Sequence, residues 1–172
     1  PVEFAFNQSV LARSESNTGF VSVVVTSSPH GLIKVMRCDH SILGGVYLEH
    51  ENDGIFRSFY LMDFVRFVKR SNHLDFTNDT ITDKSALQIG LGIGASASTL
   101  IESGIVMDVV ELDPILYKYA RDFFSFPNPR SAHLFDGRLY LNEQANLKEN
   151  HLKYDYILHD VFTGGLVPSS LF

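Results

Sequence analysis

Between residues 86 and 160 the chain alternates apolar, strand-like runs with amphipathic, helix-like runs at a short and regular interval. That alternation leaves few folds open. Strands are predicted at 86–91, 105–112, 131–136 and 154–160, with helices at 96–103, 114–124 and 138–147 between them. Strands joined through a helix run parallel, because the crossover returns the chain to the same end of the sheet. The expected fold class is therefore α/β: an open, mostly parallel, Rossmann-like sheet with helices on both faces, its apolar strands buried on two sides. Pro114 stands at the first turn of the second helix, where its missing N–H costs nothing.

Sheets of this kind bind ligands beyond the carboxyl ends of their strands. The residues found there are Gly90, Gly92 and Gly94 after the first strand, Glu111 and Asp113 after the second, Asp136 and Gly137 after the third, and Asp160 after the fourth. Glycine lets a turn take up conformations closed to other residues and lets a ligand approach the main chain. The helix that follows aims free N–H groups at such a ligand. Gly90 to Ala95 reads Gly-x-Gly-x-Gly-Ala, which fits the dinucleotide fingerprint. Glu111 follows Gly90 by about twenty positions, where a carboxylate accepts from both hydroxyls of a ribose. NAD enzymes and sulfonium-cofactor enzymes share that device, so it marks a nucleoside without naming one. Asp136 beside Gly137 is placed to accept from an adenine amino group, and Asp160 to act as a base or to anchor a cation. His159 is expected to point away from Asp160 and pack.

The first fifty residues read as short strands, including 19–27 and 32–38 around a hairpin at Ser28-Pro29-His30-Gly31. A helix is predicted over 54–70, with Phe56, Phe59, Tyr60, Phe64 and Phe67 as a core-packing stripe, and 71–85 is a polar join. The domain plan is a β-rich subdomain at 1–53, a helix and connection at 54–85, and a nucleoside-binding core at 86–172. The abrupt ends, Pro1-Val2-Glu3-Phe4 and Ser169-Ser170-Leu171-Phe172, predict a piece of a longer chain that lacks the last strands of its sheet.

With 172 residues and 45% hydrophobic content, the chain suits one core with an appendage. A net charge of −6 argues against a nucleic-acid surface and suits a cationic substrate. One cysteine, Cys38, excludes an internal disulfide, and its spacing from His30, His40 and His50 matches no zinc pattern, so no metal is expected. No apolar run approaches about 18 residues and no signal peptide is evident, so no membrane contact is expected and a cytoplasmic location is.

The stretches Gln88–Ser96, Val109–Pro114, Leu134–Leu141 and Tyr154–Phe172, in this order, resemble the spermidine synthase (polyamine aminopropyltransferase) family, and most nearly its divergent synthase-like members. The resemblance covers roughly 86–172, and 1–70 is similar to the family in layout only. It implies a class I methyltransferase fold and a dimer. It also implies that Gly90, Gly92 and Gly94 line the methionine-like tail of the cofactor, Glu111 holds its ribose, Asp136 and Gly137 lie at its adenine, and Asp160 takes the proton of an attacking amine. The implied donor is decarboxylated S-adenosylmethionine, or S-adenosylmethionine itself, and the implied partner a small-molecule amine. The family's acidic residue in the glycine loop is replaced by Ile93, and the second aspartate after the fourth strand by Thr163. The family's substrate-side Tyr and Gln pairs give way to Ser16-Asn17-Thr18-Gly19 and Phe59-Tyr60. Aminopropyl transfer is the first expectation, methyl transfer on the same scaffold the second, and a non-catalytic binding domain the third. An NAD dehydrogenase ranks last, since no catalytic Tyr-Lys or His partner is visible.

Overall fold

A computed structural model describes residues 8–50, 53–56, 64–65, 84–147 and 153–161. They build two sheets. β1 (Ser9–Ser16), β2 (Gly19–Ser28), β3 (Gly31–Cys38) and β4 (Ser41–Tyr47) form an antiparallel meander in the order β1-β2-β3-β4. β5 (Ser85–Ile89), β6 (Val106–Glu111), β7 (Ser131–Leu134) and β8 (Tyr156–His159) form a parallel sheet in the order β7-β6-β5-β8. Helices α1 (Ala95–Glu102), α2 (Pro114–Phe124) and α3 (Gly137–Asn146) connect the parallel strands. The result is the expected α/β class.

Alternation along β5 and β6 sends side chains to two cores. Ala86, Met107 and Val109 meet Ala97 and Leu100 of α1 and Ala120 of α2, while Leu87, Ile89 and Val110 meet Tyr140 of α3. Helices thus cover both faces. α2 begins where Asp113 accepts from the Ile115 N–H at 2.9 Å and Pro114 takes the first turn; it ends at Ser125 in a left-handed conformation. α3 starts in the same way, with Asp136 accepting from the Leu139 N–H at 3.0 Å.

The meander does not stand apart from the parallel sheet. Val21, Val23, Met36 and Val46 share a core with Ile93, Leu116 and Tyr119. A Cβ on Gly44 would lie 2.8 Å from the Ile93 side chain, so β4 rests on the glycine loop only because it has no side chain there. Polar bonds complete the junction: Ser14 meets the Tyr119 hydroxyl at 2.7 Å, and Ser16 and Thr18 both donate to Asp113 Oδ2.

Two expectations change. His159 does not pack: along β8 Tyr156 and Leu158 are buried while Ile157 and His159 are exposed. β8 is the edge of the described sheet, and no described element covers that face of it. Most of the 54–70 stretch lies outside the described residues, as do Thr163 and everything after Val161. Its first residue, Gly54, forms an antiparallel bridge to Val46 instead of opening a helix.

Candidate functional site

The strand order places the reversal of the winding between β5 and β8, the position where open sheets leave a crevice. The chain after β5 and the chain after β8 lie against each other at that point. Gly90 has φ +82, and a Cβ on it would lie 2.1 Å from the Asp160 carbonyl oxygen. Both residues continue the sheet ladder, Gly90 N–H donating to Val110 at 2.8 Å and Asp160 N–H to Ile89 at 2.9 Å. Glycine at 90 is therefore a steric requirement of bringing Asp160 across the first loop.

A cavity of about 620 Å³ opens there. Gly90, Gly92, Glu111 and Asp160 all line it, joined by Leu91, Ile93, Ala95 and Ser96 of the first loop and helix. Its far wall comes from the meander: Thr18 of the β1–β2 turn, and Cys38, Asp39, Ser41, Ile42 and Leu43 around the β3–β4 turn. Among the described residues that line it there is no Lys, Arg or His; its charged groups are Asp39, Glu111 and Asp160.

Glu111 is the best-held of these. It is 6% exposed, with Oε2 accepting from the Leu91 N–H at 2.8 Å and Oε1 from the Asp113 N–H at 2.9 Å. It thus ties the glycine loop to the loop before α2, and its carboxylate keeps acceptor capacity beyond these bonds. Burial raises its pKa above the ordinary glutamate value. The backbone bonds from Asp113, Leu91 and Leu112 oppose that rise without cancelling it. Asp160 is half-buried; burial raises its pKa too, and the neighbouring His159 charge opposes the rise. Burial also raises the Cys38 pKa, which leaves Cys38 a neutral thiol rather than a nucleophilic thiolate near neutral pH.

The other sequence candidates lie near this cavity without lining it. Gly94 has φ +84 at the N-cap of α1, and a Cβ there would meet the Phe126 ring at 2.6 Å, so Gly94 serves the seating of α1 on Phe126. Asp136 caps α3, and Gly137 lies against Ile89, where a Cβ would come within 2.6 Å of Cγ2. Both follow β7, two strands from the crevice.

Sequence reasoning did not single out Ser96, Cys38 or Asp39 as cavity residues. Thr18 belongs to the Ser16–Gly19 stretch, where the resemblance found no firm counterpart of the family's substrate-side residues. His30 and His50 share a separate open cavity of about 430 Å³ with Tyr47, Glu49 and Asp53 at the opposite end of the meander. Among the described residues no three His, Cys, Asp or Glu side chains converge as a metal would need.

The parallel sheet with helices on both faces is a methyltransferase-like α/β fold. No protein-family model matches the chain. The chain is 36% identical over 171 residues to an N-terminal histidine N-methyltransferase of Emericella nidulans, an alignment covering 95% of this chain and 30% of that protein. It is 39% identical over 89 residues to a polyamine aminopropyltransferase of Vibrio vulnificus, covering 49% of this chain and 29% of that protein. In structure it matches a probable spermidine synthase from Corynebacterium glutamicum with a TM-score of 0.64 and 18% identity, over 93% of this chain and 55% of the other. The chain thus spans less than a third of the curated relatives it matches. The likeness shows a shared methyltransferase-like fold. Both named relatives are transferases.

Proposed function

We propose that this chain binds S-adenosylmethionine in the crevice between β5 and β8 and serves methyl transfer to a nitrogen acceptor. The observation that carries the reading is the pairing at one cavity of a buried, doubly bonded Glu111 with a half-buried Asp160, around a loop whose central residue, Ile93, is apolar. Glu111 is held in place by backbone N–H groups, and its carboxylate keeps acceptor capacity for the hydroxyls of a ribose. Gly90 and Gly92 present bare main chain to the tail of the nucleoside.

Ile93 distinguishes between donors. A decarboxylated donor carries an unopposed ammonium and gains from an acid in the glycine loop. Ile93 is 8% exposed and packs into the core shared with the meander. The match to a histidine N-methyltransferase along 95% of the chain supports the same choice. Methyl transfer therefore replaces aminopropyl transfer as the leading reading.

When bound, the sulfonium donor supplies an electrophilic carbon. The chain's own part is to hold the nucleoside through Glu111, exclude water with Ile42, Leu43 and Leu116, and accept the acceptor's proton at the Asp160 carboxylate. An acid raised by burial is a stronger base when ionised than a solvated one, which suits that task. Asp39, across the cavity, adds to its acidic lining, which favours a cationic acceptor.

Aminopropyl transfer is the second reading, favoured by the 89 residues shared at 39% identity with a polyamine aminopropyltransferase. Incubation with S-adenosylmethionine or its decarboxylated form, together with amine and imidazole acceptors, separates the two by product mass. Methylated product from the carboxylated donor is expected. Aminopropyl product alone would reverse the order, and turnover with neither donor would favour a binding domain.

A further inference from the structure

Asp113 is fully buried, yet among the described residues its carboxylate is met only by neutral donors. Oδ1 accepts from the Ile115 N–H at 2.9 Å and so caps α2. That cap needs one oxygen, which a serine or threonine would supply. A buried carboxylate is costlier than a hydroxyl unless its remaining lone pairs are also satisfied. Here the meander satisfies them: Oδ2 accepts from the Ser16 and Thr18 hydroxyls at the β1–β2 turn. On its other side, the Asp113 backbone N–H donates to Glu111 Oε1 at 2.9 Å. Asp113 therefore grips both halves of the cavity, although it does not line the cavity itself. The same turn is tied to the β3–β4 turn. Asp39 Oδ1 accepts from the Phe20 N–H at 3.0 Å, and the Phe20 carbonyl accepts from the Asp39 N–H at 2.9 Å.

We infer that Asp113 is a positioning residue, which fixes the meander wall carrying Thr18, Cys38 and Asp39 against the loop of the ribose-holding Glu111. The role rests on the nucleoside site proposed above and deepens it, because the setting of that wall decides the space left for the acceptor. One residue holds both sides, so occupancy at Glu111 and the state of the wall are linked, and such linkage is reciprocal. Ser16 belongs to the lock without lining the cavity.

Cys38 is the one cysteine of the chain and lies on that wall, so its alkylation by iodoacetamide reports on the wall. Rates are measured on the full chain with and without saturating methylthioadenosine, beside the calorimetric affinity for the same nucleoside. In the wild type the nucleoside should slow alkylation about fivefold or more. Asp113→Ser keeps a cap and the backbone N–H but is too short to reach the meander hydroxyls. It should cut the protection to about twofold or less, with methylthioadenosine affinity within about threefold of wild type. Asp113→Asn, whose amide still spans the gap, should keep the protection. Burial raises the Cys38 pKa, the Thr18 bond opposes the rise, and the Asp39 and Asp113 charges add to it. Both substitutions remove the Asp113 charge and both retain a cap, so the difference between them reads geometry rather than charge or helix stability. If Asp113→Ser fails to fold, Ser16→Ala combined with Thr18→Val breaks the same contact from the meander side and should lose the same protection. Protection equal to wild type in the broken variant, or a wild type that binds the nucleoside without protecting Cys38, overturns the lock while the donor reading stands. A fall in affinity as large as that of Glu111→Gln overturns it as well, by placing Asp113 in the ribose site. Failure of the wild type to bind methylthioadenosine overturns the donor reading and the lock together.

Discussion

The backbone of Asp160 crosses Gly90 so closely that a Cβ at 90 would sit 2.1 Å from the Asp160 carbonyl oxygen. Two loops seventy positions apart in sequence are thereby locked together at the crevice between β5 and β8. Gly90→Ala should accordingly lower stability by about 3 kcal/mol or more, since it adds backbone strain to a clash that only main-chain movement relieves. Gly104 supplies the control: φ is +87 but nothing lies within 4 Å of a Cβ. Gly104→Ala should cost only the left-handed penalty of about 1–2 kcal/mol. Thermal unfolding of both variants checks the contrast, and equal losses would refute the close crossing.

Glu111 bridges Leu91 and Asp113 with one carboxylate. Glu111→Gln turns one of its oxygens into an NH₂ that faces a backbone N–H, so stability should fall by about 1–3 kcal/mol. Affinity for methylthioadenosine should fall roughly tenfold or more, because the amide also loses an acceptor for the ribose. Calorimetry and denaturant melts on the same variant measure the two effects separately.

The pH dependence of turnover should bear the mark of Asp160. Its pKa is raised by burial, so the basic form disappears at a higher pH than for a solvated aspartate. Activity should fall as pH drops through that raised value, and Asp160→Asn should lower kcat by about 10²–10⁴-fold with donor affinity nearly unchanged. An acid limb retained in Asp160→Asn would assign it to another group. The same shift also affects stability: a raised folded-state pKa contributes stability that is full below the unfolded value and lost as pH rises through the folded one.

Asp108 has the opposite sign. It is fully buried on β6, where Arg130 engages both its oxygens, Ser131 donates to Oδ1 at 2.7 Å and Tyr154 to Oδ2 at 2.8 Å. Burial alone would raise its pKa, but the bonds from Arg130, Ser131 and Tyr154 together outweigh it, and the net shift is downward. Its stabilisation is thus present above the unfolded carboxylate pKa and lost as pH falls through the depressed folded value. Asp108→Asn should cost about 1–3 kcal/mol near neutral pH, moderated because Arg130 reaches solvent, and the variant should lose less stability on acidification than the wild type. Denaturant melts across the acid range check both statements.

Much of the parallel sheet was readable because its signals are local. α2 spans Pro114–Phe124, as predicted, since Asp113-Pro114 marks its start and the apolar period runs without a break to its end. The strands came out within about two residues of their predicted bounds, each ending one or two residues earlier than expected. β1 and β4 carried weaker marks: β4 contains Gly44 and Gly45, which lower strand propensity, and β1 is a polar edge. The exposed His159 was misjudged because its setting depends on what covers β8, and residue type says nothing about that. Gly90, Gly92, Glu111 and Asp160 were legible as a rim because strand ends fix their place. Asp39 and Ser96 were not: the first reaches the cavity through the docking of one sheet on another, and the second is notable only for a missing hydrogen bond.

The most direct test is a crystal structure of the full chain grown with S-adenosylhomocysteine. The ribose hydroxyls are expected on the Glu111 carboxylate, with the tail beside Gly90 and Gly92 and the sulfur facing Asp160. A nucleoside bound elsewhere, for instance in the His30–His50 cavity, or one that leaves Glu111 and Asp160 without contact, would contradict the proposed site.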